Sequence, residues 1–288
     1  MSASFDRVVI VDWSANSAPK RGKDSIWAAE AEVTTGAVRS VNLPTRHDAA
    51  ELLAYTAVQP GRVLIGVDFS LGFPSGTAAA LGLEEQSWRS MWSELARLLD
   101  DDEHNRNNRF AVAAELNERL GAEPGPFWGC PPSRAGAFLT TTKRPCAPLG
   151  EWRAVEGLLR ARGHHPFSAW QLTGAGAVGS QSLLGIATLH RVVAAVAASD
   201  RSVDVWPLST GLSVPTADAV LVEIWPTLVP LPEPPSDPWN VRVRDQVQVE
   251  TLAAHLAAAD LEPLFMPPVP PASLDAVVDE EGWIFGVT

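Results

Sequence analysis

The sequence predicts an α/β protein built on one mixed β-sheet, and three observations support this prediction. Two apolar runs, at residues 7–12 and 62–68, each end on an aspartate and have the continuous hydrophobicity of strands buried on both faces. Between them lie two strand-like runs joined at Thr35-Gly36, a hairpin-turn dipeptide, and then a helix-like stretch. The chain has 288 residues, of which 46% are hydrophobic, and this is enough to bury a large core.

The first elements follow in a definite order. We expect strands at 7–12, 25–33, 37–43 and 62–68, with a helix over 47–58 that the dipeptide Pro60-Gly61 ends. Three strands in hairpin order, a helix and a fourth strand are typical of the ribonuclease H (RNase H) fold, in which the first and fourth strands are neighbours. We therefore expect Asp12 and Asp68 to end adjacent strands at one edge of the sheet.

The rest of the chain predicts further helices, two more strands and a long insertion. Helical patterns cover 78–99, 109–120, 182–199 and 241–259, and strands are expected at 203–206 and 219–225. Residues 124–149 are rich in proline and too long for a simple connection, which indicates either a functional loop or a mobile segment. We expect one RNase H-like domain over 1–288, with a helical and loop insertion at about 75–180.

The charge of the chain is acidic on average but unevenly distributed. Lys and Arg number 22 against 34 Asp and Glu, a net charge of −12, which argues against a broadly basic nucleic-acid surface. Residues 129–165 nevertheless carry six bases and two acids, a net of +4, whereas 218–288 carry two bases and twelve acids, a net of −10. The basic segment 129–165, with tryptophans between its arginines, is the candidate contact for nucleic acid.

Cysteine content and hydropathy bound the cellular setting. Cys130 and Cys146 lack zinc-binding spacing and cannot form a disulfide framework. No apolar run approaches the roughly 20 residues that span a bilayer, and no apolar signal region precedes the first strand. We therefore expect a cytoplasmic protein without zinc and without a membrane segment. The sequence does not determine its oligomeric state.

Asp12 and Asp68 are the main candidates for a functional site. Carboxylates at the ends of buried apolar strands are costly unless they are paired, hydrogen-bonded or bound to metal. The alternative is that each caps the turn that follows it. Glu223, inside the apolar strand at 219–225, either lies on an open face or joins the aspartates.

A fourth acid is expected from the helix over 241–259, which offers Asp245 and Glu250. The two are five residues apart and do not share one helix face, so at most one faces the site, and the alternative for each is a solvated helix residue. Such a carboxylate cluster, without Cys or His, suits Mg²⁺ or Mn²⁺.

Gly174, Gly176 and Gly179 form a literal G-x-G-x-x-G pattern before a helix. A dinucleotide fingerprint also needs an acid at the end of the second strand, and here Asp200 precedes that strand while Asp204 lies within it. NAD is therefore not expected. The remaining alternatives are a backbone nest for an anion at the helix N-terminus and a plain glycine turn.

Several short blocks spread over nearly the whole chain resemble a known family. They are Val8 to Asp12, Ile65 to Gly72, Val222 to Pro226 and the closing Glu281 to Phe285. Together they resemble the predicted RNase H-like nuclease family of unknown function, the domain of unknown function 429 type. Val11 to Asn16, Trp170 to Gln181 and the segment Val205-Trp-Pro resemble a bacterial, uncharacterised branch of it.

This resemblance implies a carboxylate site that binds two divalent ions, with Asp12, Asp68 and Glu223 matching the strand acids. Glu250 aligns with the acid of the last helix, where the family usually has Asp, so Asp245 is the other candidate. The implied function is phosphodiester hydrolysis by a metal-dependent nuclease. The alternative is a non-catalytic protein of this fold that binds an anionic small molecule or nucleotide, or that assists cofactor biosynthesis.

Overall fold

The structure is a computed structural model that describes residues 4–85, 87–121, 124–144, 149–174, 177–232 and 242–288. Its centre is a six-stranded sheet in the order β3-β2-β1-β4-β6-β5. The strands are β1 (Arg7–Asp12), β2 (Ile26–Glu32), β3 (Val38–Leu43), β4 (Val63–Val67), β5 (Val203–Val205) and β6 (Ala219–Glu223).

The sheet is mixed, as the order of elements predicts. Strands β1, β2 and β3 pair antiparallel to one another, whereas β1, β4, β6 and β5 are parallel. The predicted α/β class, with β1 beside β4, is confirmed. Because β1 and β4 run in the same direction and in register, Asp12 and Asp68 come to the same edge of the sheet.

Helices cover both faces of the sheet. They are α1 (Arg46–Val58), α2 (Thr77–Ala80), α3 (Trp88–Leu98), α4 (Arg109–Leu120), α5 (Ala154–Ala161), α6 (Gly179–Ala197), α7 (Arg244–Ala258) and α8 (Leu274–Ala276), the last continuing into a π-turn at Val277–Glu281. Thr45 begins α1 with a capping box in which its side chain and that of Asp48 satisfy each other's backbone N–H groups.

The alternation of side chains along β1 divides the core into two layers. Val9 and Val11 pack in the layer that contains α1, α3 and α6, whereas Val8 and Ile10 pack in the layer under α7. We call these the α6 face and the α7 face of the sheet. Asp12 follows Val11 and therefore belongs to the α7 face.

The helices depart from the prediction in three places. The helix expected over 78–99 is two helices, α2 and α3, because Gly82 has a left-handed backbone (φ 69°) and ends the first. Helix α5 was not predicted, and α6 begins at Gly179 instead of 182. The expected start of α7 at 241 lies outside the described residues, and the described helix begins at Arg244.

A substitution at Gly185 tests how closely α6 packs against the sheet. Gly185 lies in α6, and a Cβ atom placed there overlaps the buried ring of Phe69, which packs against Trp13 in a tilted arrangement. We expect Gly185→Ala to lower the free energy of unfolding by about 1–3 kcal/mol, because the ring cannot move without disturbing the core. Chemical denaturation measures this.

The matched control is Gly157→Ala in α5, where an added Cβ meets no atom within 4 Å. Removing this exposed helical glycine is expected to stabilise the protein by up to about 1 kcal/mol. Equal effects of the two substitutions would contradict the packing of α6 on Phe69.

Candidate functional site

Asp12 and Asp68 form a carboxyl pair at the sheet edge. Asp12 ends β1, and Asp68 follows Val67, the register partner of Val11, so both side chains lie on the α7 face. The two carboxyls are close enough for each to shift the pKa of the other. The backbone N–H of Trp13 donates to Oδ1 of Asp68 at 2.7 Å and fixes that carboxyl.

Both carboxyls of the pair are hard to ionise. Burial is the largest cause that raises the pKa of Asp12 well above its ordinary range, and the negative charge of Asp68 adds to it. Burial also raises the pKa of Asp68 from 3.8 to about 7, against the lowering effect of the Trp13 N–H. The two carboxyls therefore resist carrying negative charge at the same time.

Two further aspartates lie beside the pair. Asp245, in the first turn of α7, accepts a hydrogen bond at 2.7 Å from the backbone N–H of Asp24. The charges of both help to raise the pKa of Asp12. Asp24 was not predicted, because it lies in a loop with a left-handed backbone (φ 55°) where no periodic pattern signals its direction.

Three of these four aspartates, Asp12, Asp24 and Asp245, border a polar cavity of about 380 Å³, which we call the acidic cavity. Asp12, Asp24, Asp245, Thr173 and Gln181 are among the residues that line it. Across the described ranges, no group of three or more His, Cys, Asp or Glu side chains is arranged so that it could hold a metal ion. Water or substrate oxygens would have to complete the coordination of an ion here.

The structure places Glu223 apart from the pair, for a reason of register. Glu223 pairs with Val67, so its side chain belongs to the α6 face, opposite to Asp68. Ile224 takes the position beside Asp68 instead, and its side chain is within contact distance of a Cβ placed on Gly66. The strand acid of the expected cluster is thus replaced on the α7 face by an isoleucine.

Glu223 instead binds Arg153, a residue that sequence reasoning missed. The guanidinium holds both carboxylate oxygens of Glu223, at 2.6 and 2.7 Å, and one oxygen of Glu156 at 2.9 and 3.0 Å. It also donates to the backbone oxygen of Glu281 at 2.8 Å. All of its N–H groups are thereby used, and Arg153, Glu156 and Glu223 are each at most 4% exposed. We call these three residues the buried ion cluster.

Glu250 also lies apart from the pair. It accepts a hydrogen bond at 2.6 Å from Oγ of Ser40, on β3, and it pairs with Arg242. Burial acts to raise its pKa, but the hydrogen bonds from Arg242, Ser40 and Gln246 outweigh this and lower it. Of the two acids that the sequence offered from α7, Asp245 is the one that lies at the pair.

The glycines of the G-x-G-x-x-G pattern do not form one site in the part of the chain that the structure describes. Gly174 has φ 110° and lines the acidic cavity, whereas Gly176 lies outside the described residues. Gly179 begins α6 where a Cβ atom would collide with the backbone oxygen of Gln171, and its N–H donates to that oxygen at 2.9 Å. Close packing therefore accounts for Gly179, and its N–H is not directed to an anion.

The surface of the basic segment 129–165 is less basic than the sequence of this segment suggests, because some of its bases are buried or paired. Arg153 is buried in the ion cluster, and Lys143 pairs with Glu151. Arg160 lies over the ring of Trp152, with its guanidinium carbon 4.3 Å from the ring centre. Trp170 is 2% exposed and belongs to the core. The segment thus contributes core packing and internal ion pairs as well as surface charge.

Comparison with protein-family models, with curated proteins and with solved structures finds no match to this chain. Among the described residues, the helix Gly179–Ala197 is long and apolar enough to cross a membrane, and 61% of its most apolar stretch is buried in the protein. It is α6, which packs on the sheet as a core helix.

Proposed function

We propose that the protein is a divalent-cation-dependent hydrolase that cleaves phosphate esters, in the first place phosphodiesters, at the Asp12–Asp68 pair. The position of Asp12 and Asp68 side by side at the ends of two in-register strands carries this proposal, and the charge of Asp245 acts on both carboxyls. Neighbouring carboxylates repel one another when both are ionised, and a bound cation offsets this repulsion. Membership of the RNase H-like family and a cytoplasmic location belong to the same proposal.

The oxygen ligands of the pair fit Mg²⁺ or Mn²⁺. Mg²⁺ is commonly held by one or two carboxylates, with waters and substrate phosphate oxygens in the remaining positions. Asp12 and Asp68 would hold the ion, and Asp245, which lines the acidic cavity together with Asp12, adds negative charge. A second ion needs a further carboxylate, and Glu223 is bound to Arg153. We therefore propose one ion in place of the two implied by the resemblance.

The proposed reaction is the hydrolysis of a phosphoester. The oxygen of water forms a bond to phosphorus, the bond from phosphorus to the leaving oxygen breaks, and the leaving alcohol takes a proton. A bound cation supplies water activation and neutralises phosphate charge. The residues of the chain orient the ligands: the Trp13 N–H holds Asp68, the Asp24 N–H holds Asp245, and Gln181 donates to the backbone oxygen of Trp13.

Calorimetric titration with Mg²⁺ and Mn²⁺, together with hydrolysis of bis(p-nitrophenyl) phosphate, tests the proposal. Losing a residue that only supports a metal ligand typically weakens metal binding about 10- to 100-fold. Because Asp12 is proposed as a ligand itself, Asp12→Asn is expected to weaken metal binding by at least this factor and to lower the rate of hydrolysis. Glu250→Gln is the matched control, because Glu250 binds Ser40 and Arg242, and it is expected to behave as the unchanged protein.

Metal binding that survives Asp12→Asn unchanged would overturn the proposed site. Metal binding without hydrolysis of any phosphoester would overturn the enzymatic function and favour the alternative of a binding protein.

A further inference from the structure

A second cavity, of about 270 Å³, adjoins the Asp12–Asp68 pair. Asp68 and Gln181 line it, and Gln181 also lines the acidic cavity together with Asp12. The pair thus lies at the boundary between two cavities. A molecule whose reacting group sits at the pair therefore has room for one part in each.

The walls of this second cavity are largely aromatic and apolar, and we call it the aromatic cavity. Phe69, Phe167 and Trp225 are its aromatic residues, and Ile224 and Ile284 contribute aliphatic surface. The ring of Phe167 is 45% exposed, although Pro166 and Ser168 on either side of it are buried. The ring of His164 contacts Trp225 edge-on, with ring centres 5.5 Å apart, and helps to hold it.

The exposed ring of Phe167 stands on a segment that is anchored to the body of the protein. Oγ of Ser168 donates to the backbone oxygen of Glu151 at 3.1 Å, which ties the segment to the body of the protein. The ring of Phe167 is therefore presented beside Asp68 on a fixed backbone. Fixed aromatic surface next to a polar site is suited to stacking with a planar group.

The charges around the aromatic cavity exclude it as a phosphate subsite. Glu156 and Glu223 line it, but both bind Arg153, and no Lys or Arg is among its described lining residues. A volume of about 270 Å³ lies below the roughly 300 Å³ at which cavities for drug-sized ligands begin, so it suits a single ring system. The carboxamide of Gln248 supplies a donor and an acceptor at its wall.

We infer that the aromatic cavity is a nucleobase subsite, and that the substrate is a small nucleotide phosphoester. Its phosphate lies at the Asp12–Asp68 pair, while its base stacks against Phe167 and Trp225 and meets the carboxamide of Gln248. The substrate assignment rests on the proposed hydrolase function, whereas base binding alone does not need it.

Binding of adenosine, which has a base and no phosphate, tests the subsite on the full chain by calorimetry. We expect adenosine to bind without Mg²⁺, and ribose 5-phosphate, which lacks the base, to bind only when Mg²⁺ is present. Phe167→Ala is expected to weaken adenosine binding roughly tenfold, the effect of removing a ring that stacks on a base. Tyr55→Ala is the control, because Tyr55 is another exposed aromatic residue, 64% exposed on α1.

The outcomes separate this inference from the proposed function. Absence of adenosine binding, or equal affinities of Phe167→Ala and Tyr55→Ala, overturns the nucleobase subsite even if Mg²⁺-dependent hydrolysis is found. Loss of adenosine binding in Phe167→Ala, with binding retained in Asp12→Asn, supports the subsite. If no phosphoester of any kind is then hydrolysed, the base subsite stands and the hydrolase function is overturned.

Discussion

Arg153→Met is expected to lower the free energy of unfolding by about 3–5 kcal/mol at neutral pH, one of the largest effects of any substitution in the protein. The substitution leaves two glutamates, Glu156 and Glu223, without the cation that binds both. Methionine fills much of the arginine volume, so the loss reflects charge and hydrogen bonding more than an empty space. The result is measured by chemical denaturation, or appears as loss of folded protein.

Arg160→Met is the matched control on the same helix. Arg160 is exposed and contacts only the face of Trp152 among the described aromatic rings, so its removal is expected to cost less than about 1 kcal/mol. A second variant tests the cause: replacing Glu156 and Glu223 by leucine together with Arg153→Met is expected to recover most of the stability. Equal losses in Arg153→Met and Arg160→Met would show that the buried ion cluster contributes nothing.

Asp68→Asn is expected to stabilise the metal-free protein at pH 8, by up to about 4 kcal/mol. This follows from the pKa of Asp68, which burial raises from 3.8 to about 7 in the folded protein. The folded state then holds more protons than the unfolded state, so the favourable contribution is present below pH 3.8. It is lost as the pH rises through about 7. Asparagine does not ionise and retains an oxygen for the Trp13 N–H.

The measurement is the melting temperature between pH 4 and pH 8 in the presence of a chelator. The stability advantage of Asp68→Asn is expected to grow as the pH rises, whereas the exposed Asp200→Asn is expected to follow the unchanged protein at every pH. Adding Mg²⁺ at pH 8 is expected to stabilise the unchanged protein and not Asp68→Asn, because only the former offers both carboxylates. Parallel pH profiles would contradict the raised pKa.

Asp68 and Glu223 lie at the same edge of the sheet, and their positions differ by a single residue of register. Asp68 lies on the α7 face and is in contact with another acid, so its charge is costly. Glu223, the partner of Val67, lies on the opposite face and binds an arginine. The first arrangement leaves negative charge for a ligand to neutralise, and the second neutralises its charge within the fold.

The N-terminal part of the fold could be predicted because its signals are local. The apolar runs of β1 and β4, the Thr35-Gly36 turn and the helix that Thr45 caps each depend on neighbours in sequence. The parallel pairing of β1 with β4 follows from their order, and it brings Asp12 and Asp68 together. In the insertion, prediction was weaker, because short helices such as α5 owe their existence to contacts with distant segments.

The sequence by itself determined the sheet and the two aspartates at its edge, since strand order and strand-end position are local properties. Only the tertiary structure decided which other acids join them. The sequence favoured Glu223 as the third acid and offered Asp245 only as the alternative to Glu250. Register turns Glu223 toward Arg153, and the entry of α7 brings Asp245 beside Asp24 and the pair. Burial and charge neutralisation depend on residues far apart in the chain, and no periodicity in the sequence records them.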